Sequence, residues 1–219
     1  NSRTILKVGL SSQERFATYK NKYAKPQLIV DFSSVSKQKL IKQISSNKDK
    51  VLSKLYANEI AEKQRRVLKS KSPTSLIREK FGFEILFSSS YRIAKSSKDF
   101  LWVRRDTEKG SVNFYISRMK NKKSLDINTI RDSISRKFIP GPTEKTHMST
   151  EEGYIPKTKA FKLTESLKVI ETRGIWEVKD QFMAGPFLNH IITHRNNSEE
   201  LYILEGFVYS PGTTKRDYI

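Results

Sequence analysis

The character of the chain changes near Lys80, and this change constrains the fold more than any other feature. Upstream, the sequence is rich in lysine and carries apolar residues at helical spacing. Downstream, short runs of aromatic and β-branched residues follow one another, interrupted by Gly, Pro and Asn. Such runs, bounded by turn residues, are typical of β-strands. The second half of the chain is therefore expected to be built on a β-sheet.

A β-hairpin is the clearest local signal in that half. Residues 100–107 and 112–118 show the period-2 alternation of side chains that is typical of strands, and a turn at 108–110 lies between the two runs. Upstream of the hairpin, Phe83, Ile85 and Phe87 alternate in the same way and indicate another strand.

A helix and a meander are predicted after the hairpin. The helix is capped by Asp126 or Asn128 and ends near Phe138, because prolines follow it closely. A long polar surface loop is expected over residues 143–159. Three further strands are expected at 167–178, 187–195 and 201–209. This order predicts an α+β fold, with a mainly antiparallel sheet flanked by helices.

The first 80 residues predict a β-β-long helix segment that precedes this sheet. Two strand-like runs, 5–10 and 27–32, are separated by a polar stretch over 14–23 for which a helix is one interpretation. Apolar residues then recur every three or four positions from about residue 36 to residue 70. An unbroken helix of that length would measure on the order of 50 Å. A break is therefore expected near residues 45–47.

Two parts follow from this organisation. Residues 1–80 are expected to be a basic β/helical segment and residues 81–219 an antiparallel α+β domain. The chain starts without Met and enters a strand almost at once, so we expect the first part to be truncated at its start. From Phe81 onward the pattern is similar to the Mog1/PsbP-type sandwich, an architectural analogy that carries no function with it.

The chain is strongly basic, and the excess is uneven. It has 42 Lys and Arg against 23 Asp and Glu, a net charge of +19, and residues 1–80 contribute 19 basic against 6 acidic residues. Such a surface attracts nucleic acid, acidic headgroups or an acidic protein. A lysine-coated face that only maintains solubility is the alternative. The absence of cysteine excludes disulfides, thiolate metal sites and cysteine catalysis.

Charged residues inside otherwise apolar strands are the candidate site. Alternation places Arg104, Arg118 and Glu205 on the apolar sides of their strands. The full candidate set is Trp102, Arg104, Arg105, Arg118, Glu171, Arg173, Trp176 and Glu205. In one interpretation the arginines bind a carboxylate, a phosphate or a peptide terminus between tryptophan walls. In the other they form an internal Arg–Glu network that serves only the fold.

Other chemistry has weaker support in the sequence. His190 and His194 lie on a predicted strand, hence about 13 Å apart, too far to hold one metal ion. No serine nucleophile motif or phosphate-binding glycine loop is present, so no cofactor and no catalytic residue is predicted. Two alternatives stay open: a nucleic-acid-binding module, in which aromatics between arginines stack on bases, and an enzyme with an Arg/Glu site.

Nine short motifs occur along the chain: YRIA (91–94), FLWVRRDT (100–107), NFYISR (113–118), IRDS (130–133), FIPGPT (138–143), ETRGIW (171–176), FMAGP (182–186), LEGFVYSP (204–211) and RDY (216–218). Together they resemble an uncharacterised family of Bacteroidota lipoproteins, the domain of unknown function 4837. Their order and spacing cover most of the chain. The lysine excess is a departure that is particular to this sequence.

The resemblance implies an exported protein with a lipid-anchored cysteine upstream of Asn1, located in the periplasm or at the outer membrane, with no assigned activity. No apolar stretch in the chain reaches the roughly 20 residues that a transmembrane helix requires. The leading expectation is a non-catalytic domain of a cell-envelope lipoprotein. Its expected partner is an envelope protein or an anionic envelope component.

Overall fold

A computed structural model describes residues 3–72, 75–121, 126–194 and 197–213 of the chain. The chain divides into two compact units, Asn1–Lys71 and Ser72–Ile219. Among the described residues, one apolar core lies in the first unit and two lie in the second, and each core is drawn from residues of one unit. The two units are therefore described separately.

In the first unit, one long helix packs on a small sheet. The strands are β1 (Thr4–Leu10), β2 (Arg15–Lys20) and β3 (Leu28–Ser34), in the order β1-β3-β2. Strand β3 pairs in parallel with β1 and antiparallel with β2. Helix α1 (Lys37–Lys69) places Leu40 and Val51 against Val30 and Phe32 of β3.

Two expectations for this unit are wrong. The stretch between the first two predicted strands is not helical but forms β2, because Phe16 stacks on Phe32 at 4.8 Å and fixes the pairing with β3. Helix α1 has no break near residues 45–47. There, the Asn47 side chain donates to the Gln43 carbonyl at 2.9 Å, and apolar contacts on both sides hold the helix on the sheet.

Within its described residues, the second unit is built on an eight-stranded sheet. Its helices are α2 (Ser75–Phe81) and α3 (Ile127–Phe138). Its strands are β4 (Arg92–Ser97), β5 (Phe100–Thr107), β6 (Gly110–Lys120), β7 (Met148–Thr150), β8 (Lys157–Lys162), β9 (Leu167–Val178), β10 (Met183–His194) and β11 (Asn197–Tyr209). The order is β4-β5-β6-β11-β10-β9-β7, with β8 also pairing with β9. All of these pairings are antiparallel. The predicted α+β fold is confirmed.

The two helices define two faces of this sheet. On the α3 face, Ile130 and Ile134 pack with strand residues such as Phe100. On the opposite α2 face, Ile77 and Phe81 pack with strand residues such as Leu101, Val103 and Ile116. The alternation seen in the sequence of β5 thus divides the strand between two apolar cores.

Three details of the second unit differ from expectation. Phe83, Ile85 and Phe87 do not form a strand, although all three pack into the α2-face core. The predicted loop over 143–159 contains β7 and the first residues of β8. Strand β7 forms because Met148 and Thr150 are buried as they pair with β9.

Candidate binding cavity

A cavity of about 250 Å³ opens on the α3 face of the second unit. Its walls are mainly apolar and include Trp102, Trp176, Phe207, Tyr209, Met148 and Met183. The chain has two tryptophans, and both line this cavity. The volume lies just below the range of about 300–1,000 Å³ that is typical of small-molecule sites. It suits one aromatic ring or a short aliphatic chain.

Strand pairing assembles the cavity from distant parts of the sequence. Trp102 and Arg104 alternate along β5 and reach the same face, and Arg104 pairs with Asn113 of β6. Asn113 pairs in turn with Phe207 of β11. Residues 139–142, which follow α3, close one side, since two prolines prevent the helix from continuing.

The indole and amide groups in the walls are hydrogen-bonded within the protein. The Trp102 indole N–H donates to Asn113 Oδ1 at 3.1 Å, and Asn113 Nδ2 donates to Ser111 Oγ at 3.0 Å. The Trp176 indole N–H donates to the Val208 carbonyl at 3.2 Å. Both indole rings are therefore held in fixed orientations; Trp102 is half-buried, whereas Trp176 is almost completely buried.

Gly185 makes the Trp176 contact possible. A Cβ atom at this position would lie 1.9 Å from the Val208 carbonyl oxygen and 3.0 Å from the Trp176 indole nitrogen. Any side chain here would displace the backbone of β11 or the indole ring. The absence of a side chain at Gly185, the glycine of the FMAGP motif, therefore allows Trp176 to form part of the cavity wall.

Among the described residues that line the cavity, one is charged, and this residue is Arg104. Its Nε atom donates to Asp106 Oδ1 at 2.6 Å, and Arg92 donates to the other oxygen of this carboxylate at 2.8 Å. Hydrogen bonds from Arg92 and Arg104 lower the pKa of Asp106. Within the described residues, the terminal nitrogens of Arg104 make no hydrogen bond. They can take a carboxylate or phosphate in bidentate geometry.

Glu205 belongs to a different environment, a buried ion pair with Arg131. Neither side chain has exposed surface, and Arg131 Nε lies 2.9 and 3.0 Å from the two carboxylate oxygens. Tyr115 donates its hydroxyl to Glu205 at 3.0 Å, and Asn189 donates its amide at 2.8 Å. Burial, and then the charge of Glu205, raise the pKa of Tyr115 well above its ordinary value.

The sequence analysis missed Arg131, although the sequence contains a signal for it. Ile127, Arg131, Ile134 and Phe138 follow one another at four, three and four positions, so the arginine occupies an apolar position of α3. Its guanidinium lies 3.9 Å from the centre of the Phe187 ring. An internal Arg–Glu network is thus present, with an arginine from a helix.

The remaining candidates lie elsewhere. Arg105 and Arg118 are on the α2 face, where Arg105 lies over the Tyr91 ring at 5.5 Å and Arg118 donates to Asp99 at 2.6 Å. Glu171 and Arg173 form a pair at 2.9 Å on β9, with side chains on the face opposite to Trp176. The structure therefore brings Trp102, Arg104 and Trp176 together at the cavity. The other five candidates do not line this cavity.

Two of the hairpin aromatics that could have stacked on bases are not accessible. Phe100 and Tyr115 have no exposed surface and belong to the α3-face core. In the described parts of the chain, no cluster of three or more His, Asp or Glu side chains could hold a metal ion. None of the described helices is both long enough and apolar enough to cross a membrane.

Both units match known protein families. Residues 70–219 match the family described as Domain of unknown function (DUF4837). The chain belongs to the DUF4837 family. The DUF4837 match includes every residue that lines the cavity. Residues 1–68 match a second family, described as Domain of unknown function (DUF8532). No curated protein matches the chain significantly.

Proposed function

We propose that this protein is a non-catalytic domain of a Bacteroidota cell-envelope lipoprotein. In this proposal the cavity binds an apolar group of a partner protein or envelope component, and Arg104 binds an anionic group beside it. One observation carries the proposal: Trp102, Arg104 and Trp176, from two strands far apart in sequence, line the same cavity. The shared chemistry of the ligand is a carboxylate or phosphate next to an apolar body.

The composition of the cavity supports binding without catalysis. The described lining contains no carboxylate, histidine or lysine that could act as a general base toward Ser111. The Ser111 hydroxyl instead accepts a hydrogen bond from Asn113. Fixed aromatic walls with one cationic group are typical of sites that recognise a ligand.

Intrinsic fluorescence provides a direct test, because both tryptophans of the chain line the cavity. The probes are 4-phenylbutyrate and phenyl phosphate, with uncharged 4-phenylbutanol as comparison. All three are expected to change the emission. Arg104→Gln is expected to weaken the binding of the two anionic probes by about tenfold, since a hydrogen bond to a charged group contributes about 1.5–3 kcal/mol. The same change is expected to leave the affinity for the alcohol unaffected.

Arg105→Gln is the matched control, because the neighbouring side chain points to the other face of the sheet. It is expected to leave all three affinities unchanged. No emission change with any probe would refute the cavity as a binding site. Equal losses for the anionic and neutral probes in Arg104→Gln would refute the role of the arginine.

The envelope location has a separate test. The family resemblance supports a lipid anchor, and the net charge of +19 supports an anionic environment. Full-length protein, grown in its native host with a clickable fatty acid, is expected to carry the label and to fractionate with membranes. An unlabelled protein in the soluble fraction would contradict this location.

A further inference from the structure

We propose that the first unit carries a strand-addition site on the free edge of β1. The occupant is an extended segment of a partner protein in which apolar and acidic residues alternate. This site goes beyond the cavity in the second unit and does not depend on it.

The backbone of β1 is available along one side. Leu28 N–H donates to the Arg3 carbonyl at 2.8 Å, and Ser11 N–H donates to the Ser34 carbonyl at 2.9 Å. In a parallel pair, the N–H and C=O of one residue point to the same side, and the side alternates from residue to residue. Odd-numbered residues of β1 therefore bond to β3, and Leu6, Val8 and Leu10 direct their backbone groups away. Among the described residues, β1 has no strand on that side.

The side chains of the same three residues are apolar and exposed. Leu6, Val8 and Leu10 have 52%, 51% and 65% of their surface exposed. Natural edge strands are normally protected by several charges, a proline, a bulge or a very short length. Strand β1 has seven residues, and Lys7 is its one charge. Unpaired backbone and exposed apolar surface therefore coincide on one edge.

Helix α1 lies above the sheet and contacts both outer strands. Lys54 contacts Thr18 of β2 at 3.3 Å, and Asn58 contacts Thr4 of β1 at 3.0 Å. The helix nevertheless leaves Leu6, Val8 and Leu10 exposed at the outer edge of the sheet.

Charge selects the occupant. Residues 1–71 contain 17 Lys and Arg against 5 Asp and Glu, a net charge of +12. A second copy of the chain would bring the same positive field to the same edge, and like charges oppose such pairing. An acidic segment has the complementary charge, and its apolar residues match Leu6, Val8 and Leu10. Main-chain hydrogen bonds then supply affinity, and alternate side chains supply specificity.

Fluorescence anisotropy on the complete 219-residue chain tests the site. The probe is a labelled peptide of alternating valine and glutamate, and the comparison is the same peptide with lysine in place of glutamate. The acidic peptide is expected to bind and the basic peptide is not. Val8→Pro removes an outward N–H and leaves the bonds to β3 in place, so it is expected to weaken binding by about tenfold or more.

Two variants keep the test decisive. Val8→Glu retains the N–H but places a negative charge on the edge, and it is expected to weaken the acidic peptide even if Val8→Pro does not fold. Leu68→Glu, at an exposed position near the end of α1, is the control and should bind normally. The proposal would be overturned if both peptides bound equally or if neither bound. It would also be overturned if folded Val8→Pro or Val8→Glu bound the acidic peptide normally, or if the chain formed a dimer that Val8→Pro abolishes.

Discussion

Arg131 is fully buried, and partners from three strands stabilise it. Glu205 of β11 neutralises its charge, Thr150 of β7 accepts a hydrogen bond at 3.0 Å, and the ring of Phe187 in β10 packs on the guanidinium. A buried ion pair of this kind stabilises a fold little compared with apolar residues of the same volume, but loss of one partner is costly.

The change Glu205→Leu is expected to lower the free energy of unfolding by about 3–5 kcal/mol, because the buried guanidinium then loses its buried carboxylate partner and keeps only the more distant and partly exposed Asp132, at 3.4 Å. The double change Arg131→Met/Glu205→Leu should recover most of this loss. Urea unfolding of the single and double variants measures both. As control, Arg118→Met should lose less than about 1 kcal/mol, since its partner Asp99 is 44% exposed. Additive losses in the double variant would contradict the pairing.

Gly185 and Gly206 form a matched pair of glycine positions. A Cβ atom at Gly185 would overlap the Val208 carbonyl oxygen, whereas at Gly206 its nearest neighbour lies 3.9 Å away. Gly185→Ala is therefore expected to lower stability by about 1–3 kcal/mol and to change the near-UV circular dichroism of Trp176. Gly206→Ala should leave that spectrum unchanged, and the same spectral change in both variants would contradict the steric argument.

Glu171 is expected to make stability depend on pH in the acid range. Burial acts to raise its pKa, but hydrogen bonds from Arg173, Lys159 and His190 outweigh burial and lower the pKa from 4.5 to about 2. Since the pKa is lower in the folded state, the stabilisation is complete above about pH 4.5 and is lost as the pH falls toward 2.

Thermal unfolding from pH 6 to pH 2 measures this contribution. Glu171→Gln should melt below the unmodified protein at pH 6, and the two melting curves should converge as the pH approaches 2. Glu165→Gln is the control, because that carboxylate is 91% exposed. A constant difference between Glu171→Gln and the unmodified protein at every pH would contradict the assignment.

At the residue scale, the sequence predicts well which face of a strand a side chain takes, but it predicts poorly which residue that side chain contacts. Alternation correctly placed Glu205 on an apolar face, because the period of a strand fixes which side each residue takes. The identity of its partner depends on which helix covers that face. Arg131, 74 positions away, could not be paired with Glu205 from spacing alone.

At the scale of elements, strong periodicity located several elements and their bounds. Helix α1 begins after Ser36, whose hydroxyl accepts from Lys39 N–H at 3.3 Å, close to where the apolar recurrence starts, and strands β5 and β9 have the predicted bounds. Strands β7 and β8 were missed for physical reasons. Strand β7 has three residues, and all six residues of β8 are exposed, so neither shows the alternation of a half-buried strand.

The cap of α3 provides a test at this scale. Asp126 accepts hydrogen bonds from the N–H groups of Asn128 and Thr129 at 2.8 and 3.1 Å, whereas the Asn128 side-chain oxygen is buried without a partner in the described structure. Asp126→Ala is expected to lower stability by about 1 kcal/mol, measured as a lower melting temperature. Asn128→Ala should change it little. The reverse order would identify Asn128 as the cap.

For the whole molecule, the organisation into units is the property to test. The two apolar cores of the second unit draw on residues after position 72, and the DUF4837 match begins at residue 70. A chain of residues 70–219 is therefore expected to fold alone, with a cooperative melt and the tryptophan emission of the 219-residue chain. Broad melting and red-shifted emission would show that it needs residues 1–69.

The cavity could not be located from the sequence because it depends on strand order. Trp102 and Trp176 lie in β5 and β9, which three strands separate in the sheet, and they line one cavity because both rings contact Phe207 of the central strand β11. Local patterns determine strands and faces, but pairings over long sequence separations are selected by the packing of the whole unit. Aromatic residues and charge suggested the chemistry of the site, and topology determined its members.

Strand β11 occupies the centre of the sheet, yet it comes last among the strands in chain order. During translation, Tyr115 leaves the ribosome 90 residues before Glu205, the residue that its hydroxyl contacts. At about 5–20 residues per second, the growing chain waits roughly 5–20 s with the β6 edge open. A nascent chain of this protein therefore exposes the edges of β6 and β10 until β11 emerges, and a premature stop before β11 removes the strand that joins the two halves of the sheet.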